Sequence, residues 1–234
     1  MNYLGIDGCK EGWVLVYIQN GFLEYSIGSS LVELLHPFEP ESSSLLIDMP
    51  VVLLNATSQF QKRPCDVAAR KLLGKKSAAV FSPPVEETLD GVNYQEACQL
   101  NQEVTGKKIS LQAWYLFPKI RDLRSFLKQC PQWNPVIKES HPELVFQRFN
   151  QLKPLRFSKK TKEGIQERLS ILQSIKSSSN FFYEKVYKTT KRNKIAADDL
   201  LDAMALSIRS ELGDFTSFFG ENESLDRPRM DYFF

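Results

Sequence analysis

The chain has 234 residues, 42% hydrophobic and 12% aromatic, enough for a sizeable core and unlike a disordered, fibrous or repetitive composition. Thirty basic residues against 28 acidic ones leave a net charge of +2, so any attraction to nucleic acid must come from a local basic surface. Four scattered cysteines without a CxxC pair argue against a disulfide framework or a cysteine zinc site and suggest reduced thiols. Two histidines nearly exclude histidine-rich zinc. No apolar run approaches the ~18 residues of a membrane span, and the N-terminus shows no charged leader, so the expected location is the cytoplasm.

The first fifty residues alternate strand and turn. Tyr3, Leu4 and Ile6 open a strand that runs into "GIDGCKEGWV" (residues 5 to 14), where Asp7 stands among three glycines. A second apolar run, Trp13 to Ile18, follows the turn, and Asn20-Gly21 introduces a third, antiparallel strand at Phe22 to Ile27. "SSLVELLHPF" has Ser29 or Ser30 as N-cap and apolar residues at helical spacing. The continuous apolar run Leu45 to Ile47 ends at Asp48 and is stopped by Pro50, as in a central strand buried on both faces and parallel to the first.

From about 51 to 132 the pattern becomes mostly helical. "RPCDVAARKLLGKK" carries proline at its start and glycine at its end, "AAVFSPP" is irregular, and two further helical stretches follow, the second containing Pro118. Val136 to Lys138 then reads as a short strand entering a helix with Pro142 in its first turn. Residues 159 to 176 are amphipathic, and Ile195 to Leu212 form another helix. The Ser/Lys-rich stretch 176 to 194 is the most linker-like segment, and the tail reads as a polar loop with a short final strand. The expectation is one α/β domain spanning 1–234, with a mostly helical insertion at about 51–132.

Two strands end in aspartate, Asp7 and Asp48. In open α/β sheets the crevice beyond the carboxyl ends of the strands is the usual ligand site. Close carboxylates repel unless a cation compensates, which makes such a pair informative. A third source is "AADDLLDAMALSIRSEL": Asp198 reads as a helix cap, whereas Asp202 sits two turns in among apolar residues, too deep for a cap. In "ESHPE", Glu139 ends a strand, and His141 is open between a ligand or proton carrier and a backbone cap. Acidic residues from strand ends and a helix, with little histidine, suit Mg²⁺ or Mn²⁺ and phosphodiester hydrolysis.

The segments "GIDGCKEGWV", "IDMP", "RPCDVAARKLLG" with "VFSPP", "ESHPELVF" and "DDLLDAMA", in this order, resemble the domain of unknown function 429 family from residue 5 to about 212. Members of that family are described as predicted nucleases with a ribonuclease-H-like fold: three antiparallel strands, a helix, then parallel strands. The resemblance implies that Asp7, Asp48 and Asp202 bind metal. "DDLLDAMA" is similar to the helix of junction resolvases in which two aspartates serve the metal, which implies Asp199 alongside Asp202. Glu139 is the counterpart of a further acid in those enzymes. The expected catalytic set is therefore Asp7, Asp48, Glu139, Asp199 and Asp202.

Arg63, Asp66 and Arg70 share one helical face, either as a salt-bridge ladder or with the two arginines holding phosphate. Lys10 and His141 join them as expected substrate-binding residues, and Lys75, Lys76 and "KKTK" at 159 to 162 extend a phosphate strip. Trp114 and Tyr115 read either as base-stacking aromatics or as core. The expected function is a metal-dependent nuclease or phosphohydrolase acting on nucleic acid or a small phosphorylated substrate. An ATP-dependent phosphotransferase of the actin and sugar-kinase strand plan, or a non-catalytic binding protein keeping the fold, are the alternatives.

Overall fold

The computed structural model describes residues 1–190, 194–219 and 230–234. Five strands form one mixed sheet: β1 (Asn2–Cys9), β2 (Gly12–Gln19), β3 (Phe22–Gly28), β4 (Ser43–Ile47) and β5 (Ile137–Glu139), in the order β3-β2-β1-β4-β5. β1, β2 and β3 are antiparallel neighbours, while β4 runs parallel to β1 and β5 parallel to β4. This α/β arrangement is consistent with the ribonuclease-H-like plan. The β2–β3 hairpin turns on Asn20-Gly21, both with positive φ (52° and 83°), as a tight two-residue connection requires.

Helix α1 (Leu31–Leu35) follows β3 and is capped by the Ser30 hydroxyl, which accepts the Glu33 N–H at 3.3 Å. Between β4 and β5 lie α2 (Pro64–Leu73), α3 (Tyr94–Thr105) and α4 (Leu111–Gln129). α4 continues through Pro118. Beyond β5 come α5 (Pro142–Phe149), α6 (Lys162–Ile175), α7 (Ser179–Thr189) and α8 (Ala197–Leu212). Within the linker-like stretch lies α7, which buries Phe182, Tyr183 and Val186; their helical spacing outweighs the surrounding serines and lysines. The polar loop expected in the tail falls largely on 220–229, outside the described residues. The final strand is reduced to a single bridge, Ser217 to Phe233. The Phe233 N–H also donates to the Glu139 carbonyl at 2.9 Å, beside β5.

Two apolar clusters cover the two faces of the sheet. Leu4, Ile6, Leu15, Leu45 and Ile47 pack with α1, α3 and α4, whereas Val14, Val16, Ile18 and Leu46 pack with α2, α5, α6, α7 and α8. Because side chains alternate along a strand, Gly5 and Asp7 share the α8 face of β1, and Asp48 follows Leu46 onto the same side. Gly5 is required there: a Cβ would come within 2.3 Å of the Ala203 carbonyl and the Ser207 amide nitrogen. The bare glycine lets α8 lie directly on β1. From Leu200 to Ser210 every residue of α8 is buried, and each fully buried leucine or isoleucine contributes roughly 1.5–3 kcal/mol.

No helix among the described residues is long and apolar enough to cross a membrane. All four cysteines are free thiols.

Candidate active site

The parallel ladder brings the carboxyl ends of three strands to one level. Ile6 pairs with Ile47 and Ile47 with Glu139; the Asp48 N–H then donates to the Ile6 carbonyl and the Ser140 N–H to that of Ile47, both at 2.9 Å. Asp7 and Asp48 are the next residues on their adjacent strands. α8, seated on Gly5, supplies Asp202. All three aspartates line one cavity of about 660 Å³, with Asp198 and Asp199 on the same wall. Seven carboxylates and four lysines line it in total.

The electrostatics follow from burial. Burial raises the pKa of Asp7 well above the usual carboxylate range, and Asp48 and Asp202 add to the rise. Asp48 is raised by burial despite His141 and Lys159. Asp202 is pushed by burial to about 6, even with Lys159 opposing. The Gly8 N–H donates to Asp7 Oδ1 at 2.7 Å, so Asp7 also holds its own turn.

Lys159 is the cation at the centre of this cluster. Its ammonium donates to Asp202 Oδ2 at 2.6 Å and lies 3.8 Å from Asp198, while Lys160 pairs with Asp198 at 2.7 Å. Burial alone would lower the Lys159 pKa, but Asp202 and Asp7 raise it above its ordinary value. A second glycine permits this placement. A Cβ on Gly164 would collide with the Ser158 carbonyl at 1.9 Å, so the strand of chain before α6 can press against that helix. The sequence motif "KKTK" carries this signal only as a charge run. Lys119 of α4 is the other residue that the pattern missed. Its stem lies over Gly8, where a Cβ would meet it at 2.6 Å.

His141 is the N-cap of α5: its Nδ1 accepts the Glu143 N–H at 3.2 Å, which puts the ring proton on Nε2, 3.3 Å from the Ala79 carbonyl. The ring still lines the cavity. Asp198 is not the cap of α8. That role falls to Asp199, whose carboxylate accepts the Ala196 N–H at 3.3 Å, leaving Asp198 buried and paired with the two lysines. Spacing alone does not separate these neighbours, since either reaches the first turn.

Glu139 borders the cavity, but strand alternation sets it with Ile137 and Ile47, on the opposite side from Asp48. There its Oε2 accepts the Arg63 guanidinium at 2.5 Å and the Val51 N–H at 2.8 Å. Burial raises its pKa to about 7, against the lowering by Arg63. Arg63 also holds Asp66 at 3.1 Å, and the Tyr232 hydroxyl donates to the same Asp66 oxygen at 3.0 Å. Arg63 is 3% exposed and lies outside the acidic cavity, committed to this buried network. Arg70 donates to the Val80 carbonyl and the Ser82 hydroxyl, and with Arg63 borders an adjoining cavity. Lys10 is exposed at the β1–β2 turn and lines neither. Of the two aromatics on α4, Trp114 packs against Tyr94 and Phe117, while Tyr115 is 72% exposed.

As donors for a cation, Asp7, Asp48 and Asp202 offer hard oxygens in excess, and Asp202 Oδ1 is buried without a hydrogen-bond partner among the described residues. Among those residues no three His, Cys, Asp or Glu groups converge at metal-holding distance; Lys159 supplies the positive charge instead.

A search of curated proteins and one of solved structures each returned no match. A family model, described as a protein of unknown function (DUF429), matches residues 5–223. These residues are nearly the whole chain and hold every aspartate of the cavity, so the chain belongs to the DUF429 family.

Proposed function

We propose that this protein is a divalent-metal-dependent phosphohydrolase that cleaves phosphodiester bonds, a nuclease in the broad sense. The observation that supports this reading is the convergence of Asp7, Asp48 and Asp202 from β1, the end of β4 and α8 on one cavity of about 660 Å³, with a buried Asp202 oxygen that has no hydrogen-bond partner among the described residues. These three carboxylates would hold Mg²⁺ or Mn²⁺, and the metal, when bound, supplies water activation and stabilisation of the leaving oxygen. The donor type and charge fit. A cation on Asp202 would take the place of the Lys159 ammonium, whose side chain is about a third exposed and carried on a loop. Lys119 and Lys160 at the cavity attract a phosphate, and Lys159, once displaced, joins them. His141, as the N-cap, orients the start of α5 at the cavity that Asp48 also lines.

The Lys159–Asp202 pair favours a second reading, a binding protein whose acidic site is neutralised internally and carries no metal. Calorimetry with Mn²⁺ on wild type, Asp7→Asn and Lys159→Met separates the two, with an oligonucleotide cleavage screen on the same samples. The hydrolase reading expects Mn²⁺ binding by wild type, its loss in Asp7→Asn, tighter binding by Lys159→Met, and Mn²⁺-dependent cleavage. No binding by wild type, or equal binding by wild type and Asp7→Asn, overturns it.

A further inference from the structure

A second chamber of about 400 Å³ adjoins the acidic one, and Phe81 and Gln112 line both. This size lies within the range of ordinary ligand sites. Its charge is opposite in sign. Lys62, Arg63, Arg70, Lys107 and Lys108 line it against one carboxylate, Asp66. Asp66 is already held by Arg63 and Tyr232, and Arg63 by Glu139, so that carboxylate neutralises none of the remaining cations. Among the described residues Arg70 donates only to the Val80 carbonyl and the Ser82 hydroxyl. Among the described residues, Lys62, Lys107 and Lys108 enter no ion pair. Arg63 Nε, buried and without a hydrogen-bond partner among the described residues, belongs to the same chamber. Between the cations the walls mix apolar Phe81, Pro83, Pro84 and Ile109 with polar side chains such as Gln61 and Thr105.

A small phosphomonoester would fill the acidic chamber and leave Lys62, Lys107 and Lys108 without a counter-ion. A polyanion that crosses the Phe81–Gln112 saddle uses both. An aromatic and two prolines, polar side chains able to hydrogen-bond a base edge, and lysines beside them match a nucleobase and the phosphate attached to it, the combination that single-strand binding surfaces present. We propose that the basic chamber is a second subsite, which takes the neighbouring nucleotide of a single-stranded nucleic acid whose scissile phosphodiester lies over Asp7, Asp48 and Asp202. The placement of the scissile bond rests on the hydrolase reading; the subsite itself is tested without chemistry.

The test is fluorescence anisotropy of a 5′-fluorescein oligothymidylate, eight nucleotides long, titrated in EDTA at several salt concentrations. It compares wild type, Asp7→Asn and the double variant Lys107→Glu/Lys108→Glu. Both lysines are exposed, and a melting curve checks that the variant is folded. The double variant is expected to bind at least about tenfold more weakly, with the slope of log K against log salt smaller by about 1.4, roughly 0.7 per lost phosphate contact on a single strand. Asp7→Asn is expected to bind at least as well as wild type. Wild-type affinity and slope in the double variant overturn the subsite, and so does absence of binding by wild type. A lysine effect without metal-dependent cleavage keeps the subsite and removes the hydrolase reading; cleavage without a lysine effect does the reverse.

Discussion

Arg63→Met is the most informative single change, because Arg63 was a phosphate-binding expectation and the structure gives it to Glu139. Both partners are buried, at 3% and 2% exposure. Removing one member of a buried pair leaves an uncompensated charge and costs about 3–5 kcal/mol. For a chain of this size each kcal/mol lowers Tm by roughly 2–4 °C, so the expected fall is about 6–20 °C. The loss has a signed pH dependence. Glu139 titrates at about 7 in the fold. At pH 5 it is mostly protonated and loses little with its cation; at pH 8 it is ionised and loses most. Urea denaturation at both pH values measures this difference. Adding Glu139→Leu to Arg63→Met should recover much of the loss, since an apolar pair can replace a buried ion pair, and the double-mutant cycle isolates the coupling. A variant whose Tm stays within about 2 °C of wild type at pH 8, while phosphate or oligonucleotide binding collapses, would refute this reasoning.

Two further outcomes follow from the same geometry. In EDTA the wild-type protein should be more stable at pH 5 than at pH 7.5. Glu139 (about 7 in the fold against an ordinary 4.5) and Asp202 (about 6 against 3.8) keep protons that the unfolded chain releases, so stability falls as pH rises through roughly 4 to 7. Glu139 alone contributes roughly 3 kcal/mol to that fall; a flat or rising profile by urea titration contradicts it. Gly5→Ala should lower Tm by several degrees or abolish soluble protein. The added Cβ meets helix backbone at 2.3 Å and overpacking of this kind costs about 1–3 kcal/mol or more; a Tm equal to wild type would show that α8 is not seated on β1.

The strands, their directions and most helices were legible because each carries a local signal: Asn20-Gly21 for the hairpin, a continuous apolar run at Leu45 to Ile47, and proline and glycine around α2. Asp7, Asp48 and Asp202 were legible for a related reason. Each is a charge in an otherwise apolar stretch, and the α8 face of the sheet gathers all three. What stayed hidden depends on partners distant in sequence. Glu139 reads as a strand-end acid like Asp48, and only its register opposite Ile47 turns it towards Arg63. Lys159 reads as one member of a basic run, because nothing local records that Gly164 lets its loop press on α6. Asp198 and Asp199 differ by one position, and the N-cap geometry alone decides which carboxylate holds the helix start. Helix α7 was missed because its buried aromatics are diluted by serines and lysines.

The seating of α8 on β1 also governs when the acidic cavity can form. Asp7 is translated near the beginning and Asp202 near the end, with almost two hundred residues between them. On the ribosome the hairpins and β4 can pair early, but the strip of β1 on which α8 sits stays uncovered until that last helix emerges, even once α2, α5, α6 and α7 pack on the same face. A nascent chain therefore carries isolated aspartates and exposed valines, and no acidic cavity, for most of its synthesis. Closure of a long loop of this kind is slow in general, and the acidic cavity exists only in the completed fold.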